Sequence, residues 1–154
     1  MFRLIAMLCM MTGVAFAGPV TERDGWAVHP TTKPYQTLID DLKAAVTAEG
    51  MAVVTEAGPT GAAASRGITI PGNRVLGVYN NDFAVRVLEL STAAMIEAPI
   101  RIYVTENEDG TATLSYKTPT HVFTPYLEEG GASLAAIAEE LDGRFEAIAS
   151  GAVK

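Results

Sequence analysis

Ile100-Arg101-Ile102-Tyr103-Val104-Thr105-Glu106, then Asn107-Glu108-Asp109-Gly110, then Thr111-Ala112-Thr113-Leu114-Ser115-Tyr116-Lys117 are two alternating runs joined by an acidic tip. Successive side chains of a strand point to opposite faces. Ile100, Ile102 and Val104 therefore share one face, and Ala112, Leu114 and Tyr116 share one on the second run. Arg101, Tyr103, Thr105, Thr113, Ser115 and Lys117 face the other way. Asp109-Gly110 is a strong hairpin signal. The stretch predicts an antiparallel pair with one face turned to a core and the other left to aromatic, hydroxyl and cationic groups.

Downstream, Thr118-Pro119 ends the second strand. A last helix is predicted from about Ser133, a good N-cap. Leu134, Ile137, Leu141, Phe145 and Ile148 form its buried stripe. Upstream, Pro99 breaks the chain. Before it, Asn80-Asn81-Asp82 supplies cap chemistry for a helix with Phe83, Val87 and Leu90 on one face. Arg74–Tyr79 and Met51–Glu56 read as strands. Residues 58–73, rich in Gly, Ala and Pro, read as a loop with room for one short turn. Pro34 suits a first helical position. Tyr35, Leu38, Ile39, Leu42, Ala45 and Val46 recur at helical spacing until Gly50. Gly25–His29 reads as a first strand ended by Pro30. The order is two strand–helix–strand units, a further strand and a closing helix. It predicts an α/β protein of the α+β type: a two-layer sandwich with a mostly antiparallel sheet and helices on one face.

The chain begins with a positive start, Met1-Phe2-Arg3, an apolar run from Leu4 to Val14, and the small-x-small site Ala15-Phe16-Ala17. That is the pattern of a cleavable secretory signal, and the run is shorter than the ~20 apolar residues of a membrane span. The expected organisation is a signal over residues 1–17, an N-terminal segment over 18–33 holding the first strand, and one domain over 34–150. The expected location is the periplasm or the exterior. Removing 17 of 154 residues leaves 137, enough for one domain with its own core. The only cysteine, Cys9, leaves with the signal, so the mature chain has no disulfide, thiol nucleophile or thiolate ligand. Arg3 leaves as well, and the formal charge falls from −7 to −8. An acidic chain without a basic cluster speaks against a nucleic-acid partner, and no later segment is apolar for long enough to span a membrane.

The chain resembles a family known as domain of unknown function 302, over roughly residues 35–149. The resemblance rests on ordered short motifs: Glu49-Gly50-Met51, Val75-Leu76-Gly77-Val78-Tyr79-Asn80, Ala98-Pro99 before Ile100–Val104, Asp109-Gly110-Thr111 leading into Leu114-Ser115-Tyr116, and Thr118-Pro119. It implies a compact two-layer α/β fold, often paired as a homodimer, and carries no established activity. Members usually have Asn-Pro after the middle strand, whereas here Asn81 follows Asn80.

Local motifs add no reaction. His29 and His121 are far apart and form no H-E-x-x-H; they are expected as exposed loop residues beside Pro30 and Pro119. Ala63-Ala64-Ser65-Arg66-Gly67 lacks the first glycine of G-x-S-x-G. Residues 58–67 have glycines but no phosphate-loop order or lysine. Glu106–Asp109 does not match a calcium-loop spacing. Met51 and Met95 fall at packing positions. No metal and no cofactor is expected. The face carrying Arg101, Tyr103 and Ser115, with Tyr79 and the Asn80 corner, is the candidate ligand surface. The leading reading is a non-catalytic exported module that binds a small ligand or self-associates as a homodimer. Beside it stand a small-molecule enzyme using the same face or the Asn80 corner, and an accessory subunit of an envelope complex.

Overall fold

The computed structural model describes residues 18–154, so the predicted signal lies outside the described residues. The strands are β1 (Trp26–Pro34), β2 (Ala52–Ala57), β3 (Asn73–Tyr79), β4 (Ile100–Glu106) and β5 (Thr111–Lys117). They form one sheet in the order β1-β5-β4-β3-β2, every neighbouring pair antiparallel. The helices are α1 (Tyr35–Ala48), α2 (Thr60–Ala64), α3 (Asn81–Leu90), α4 (Pro119–Phe123) and α5 (Leu127–Val153). Helices α1, α3 and α5 pack together on one side of the sheet. The result is the expected two-layer α+β sandwich. Its first strand–helix–strand unit spans the whole sheet, because α1 joins β1 at one edge to β2 at the other.

The alternation in β4 and β5 sets where the core lies. Ile102, Val104 and Leu114 are fully buried against Leu38, Ile39 and Leu42 of α1 and Leu134, Phe145 and Ile148 of α5. The predicted stripe of the last helix is buried throughout. At the far end of β1, the Lys33 ammonium donates to Asp41 Oδ2 (2.5 Å) and to the Ala152 carbonyl (2.7 Å), fastening the strand to α1 and α5.

Four local expectations change. β1 does not stop at Pro30 but runs to Pro34, with an irregularity between the two prolines. Proline is tolerated because β1 is an edge strand, and Thr31 Oγ1 donates to the Ala112 carbonyl (2.8 Å) within the irregular stretch. His29 is thereby a half-buried strand residue, not a loop one. It stacks on Tyr116 at 6.0 Å between centroids, with Nε2 3.8 Å from Glu146. The segment after β5 is not only a strand end: Thr118 caps α4, with Pro119 at its start. The last helix is preceded by a further turn from Leu127, broken from the main helix at Gly131, whose φ of 59° and ψ of −151° suit only glycine.

Candidate functional site

The open side of the sheet is laid out in rows across the strands. One row runs Val28–Ser115–Tyr103–Val75 and the next Pro30–Thr113–Thr105–Asn73. In the row nearest α4, Trp26 pairs with Lys117 and Arg101 pairs with Gly77. Continuing the β4–β5 register by one residue from Ile102–Tyr116 sets Arg101 opposite Lys117. The row thus reads Trp26–Lys117–Arg101–Gly77.

A concavity of about 540 Å³ opens over this end of the sheet. Trp26, Arg101, Tyr103 and Lys117 line it from the strands, and His121 and Val122 from α4. The Lys117 ammonium lies 6.0 Å from the Trp26 ring centroid and the Arg23 guanidinium 5.2 Å from it, both within cation–π range. Tyr103 Oη accepts from Asn73 Nδ2 at 2.5 Å, which holds the ring in place. Gly25 lets α4 come close: its φ is 73°, and a Cβ there would overlap the His121 ring. Glu97 is the acid of the lining. It accepts from Tyr126 Oη (2.7 Å), a bond that raises the Tyr126 phenol above its usual range, and it lies 4.0 Å from Arg101.

Arg101 and Tyr103 are therefore brought together as expected, and Trp26, Lys117 and His121 join them. Ser115 belongs to the same face but is only 1 % exposed between its larger cross-strand neighbours Val28 and Tyr103, and its Oγ has no hydrogen-bond partner. Tyr79 and Asn80 lie apart, beside an apolar crevice of about 30 Å³, roughly the room of one water. Asn80 is occupied structurally. Its Oδ1 accepts from the Asp82 and Phe83 amides (2.9 and 3.3 Å), and its Nδ2 donates to the Gly50 carbonyl (3.0 Å).

Several groups with displaced titration lie outside the lining of the concavity. Glu56 accepts from Lys43 and Arg74, and those bonds lower its carboxyl. The same cluster includes Tyr35, whose phenol burial raises. At the hairpin tip, Asp109 Oδ1 accepts from the Thr111 hydroxyl (2.6 Å) and amide (3.0 Å), and its carboxyl is lowered accordingly. Among the described residues, no three His, Cys, Asp or Glu side chains are grouped so as to hold a metal. No described helix is long and apolar enough to cross a membrane.

The missed residues had partial signals. Parity already places Lys117 on this face, while Trp26 opens its strand, where alternation is weakest. His121 follows Thr118-Pro119, a cap followed by proline at the first helical position.

No curated protein matches the chain. A family model described as "Domain of unknown function DUF302" matches residues 27–150. A crystal structure of an uncharacterized conserved DUF302 protein from Bacillus stearothermophilus has the same fold. Its TM-score is 0.74 at 20 % identity, over 86 % of this chain and 100 % of that one. The sheet order, the helical layer and the family match agree, and the chain belongs to the DUF302 family.

Proposed function

We propose that the protein is an exported, non-catalytic module that binds a small molecule in the concavity on its open sheet face. The observation that carries this reading is the concavity itself. Its volume of about 540 Å³ falls within the usual range for small-molecule sites. Its lining combines the Trp26 and Tyr103 rings with a few polar anchors, the composition such sites favour. An enzyme of the acid–base or nucleophilic kind calls for a base oriented by a partner and set beside a nucleophile. Among the described residues, His121 is bonded through its backbone amide and carbonyl, and its ring has no carboxylate or hydroxyl partner. Export rests on the Ala15-Phe16-Ala17 site and the apolar run before it.

Native mass spectrometry of protein purified from the export compartment tests the whole reading. The expected result is a chain starting at Gly18 that carries a small-molecule adduct lost in Tyr103→Ala. A chain retaining Met1 would sink the export proposal. An adduct-free protein that is entirely dimeric would replace ligand binding by self-association.

A further inference from the structure

The charge pattern of the concavity narrows its ligand to a class. The chain carries a formal charge of −7, yet the lining sets two cations, Arg101 and Lys117, against one carboxylate, Glu97. The two cations stand at opposed positions of neighbouring strands, where like charges destabilise a sheet. Glu97 offsets Arg101 only across 4.0 Å and is already bonded to Tyr126. Lys117 has no ion-pair partner among the described residues and lies against the face of Trp26. A planar anionic group placed between them would relieve the repulsion and accept hydrogen bonds from both. Arginine's fork matches a carboxylate in two-point geometry. Beside this pair, Trp26 and Tyr103 offer ring surfaces to a flat apolar body.

We infer that the concavity takes a small aromatic or similarly flat carboxylic acid, its carboxylate between Arg101 and Lys117 and its body against Trp26 and Tyr103. The inference rests on the ligand-binding reading above and specifies it.

Trp26 is the only tryptophan of the chain, so its fluorescence reports on this site alone. The experiment titrates the mature protein with phenylacetate, its neutral isostere phenylacetamide, the cation phenethylammonium and inorganic phosphate. Phenylacetate should change Trp26 emission saturably and the other three should not. Arg101→Gln and Lys117→Gln should each weaken it by about tenfold, the usual worth of one charge-assisted hydrogen bond. Raising the ionic strength should weaken it further. Far-UV circular dichroism and a urea melt establish that both variants are folded. An equal response to phenylacetamide would overturn the anionic class and leave the ligand-binding reading standing. Phosphate binding as well as phenylacetate would overturn the aromatic part. No saturable response to any of the four would overturn the inference, and the adduct sought by native mass spectrometry then decides the ligand-binding reading.

Discussion

On the helical side of the sheet, Leu76, Ile102 and Leu114 are fully buried. On the open side the same three strands carry Val75, Tyr103 and Ser115. The first set meets two helices and is apolar throughout. The second mixes rings, hydroxyls and cations, and it leaves Ser115 Oγ and Thr105 Oγ1 buried without partners. An unpartnered buried hydroxyl costs about 1–3 kcal/mol. The helical face thus buries chiefly apolar side chains, while the open face buries hydroxyls as well. The proposed ligand site lies on this second face.

The largest expected effect tests the stabilising face. The Phe145 ring is 0 % exposed and packs on Tyr116 at 5.5 Å between centroids. Phe145→Ala should cost about 3–5 kcal/mol in urea unfolding. Arg101→Ala, on the open face, should stay within about 0.5 kcal/mol. A Phe145→Ala loss below about 1 kcal/mol would place the last helix outside the core and erase the contrast.

The helical face was legible because its signals are local. The period of 2 in β4 and β5 and the helical spacing from Leu134 to Ile148 each lie within one element. The Asn80 cap was legible for the same reason, and the structure occupies it with three hydrogen bonds, apart from the concavity. The candidate site was half legible. Arg101 and Tyr103 follow from parity alone. Trp26 reaches them only because β1 pairs with β5, a contact between residues far apart in sequence with no local trace. Helix α4 spans five residues, too few to show a period, so His121 read as a loop residue. Ser115 was assigned to the correct face, but the size of its neighbours, which parity does not report, removes it from the surface.

A middle-sized effect concerns Tyr116, next to Ser115 in β5 but on the helical face. Burial raises its phenol, and the nearby Glu146 carboxylate, 3.3 Å from Oη, raises it further. The unfolded chain releases this proton near pH 10.0, the folded protein only at higher pH. The contribution is thus fully present below pH 10 and is lost as pH rises through the folded value, because the folded state then binds more protons than the unfolded one. Urea midpoints should be level up to about pH 9 and fall by about pH 11. Tyr35 and Tyr126 are shifted the same way, so Tyr116→Phe should reduce the alkaline fall without abolishing it. At neutral pH that variant should lose about 1 kcal/mol, the worth of one hydrogen bond. An unchanged alkaline slope would mean that Tyr116 is solvated and that β5 is not buried on its helical side.

The smallest effect is expected one residue earlier, and its sign matters more than its size. Ser115 Oγ is buried and unpartnered, whereas Thr113, two residues back on the same face, donates to Asn107 Oδ1 at 3.1 Å. Ser115→Ala removes a hydroxyl that gives nothing in return for its lost hydration. Its stability should be unchanged or raised by up to about 1 kcal/mol. Thr113→Val removes a bonded hydroxyl at nearly constant volume and should lose about 1 kcal/mol. The pair of variants separates polarity from position, because both lie on β5 and face the same way. A loss above about 1 kcal/mol for Ser115→Ala would show that its hydroxyl is partnered in the native protein. The contrast between the two faces would then reduce to the cations and rings beside α4.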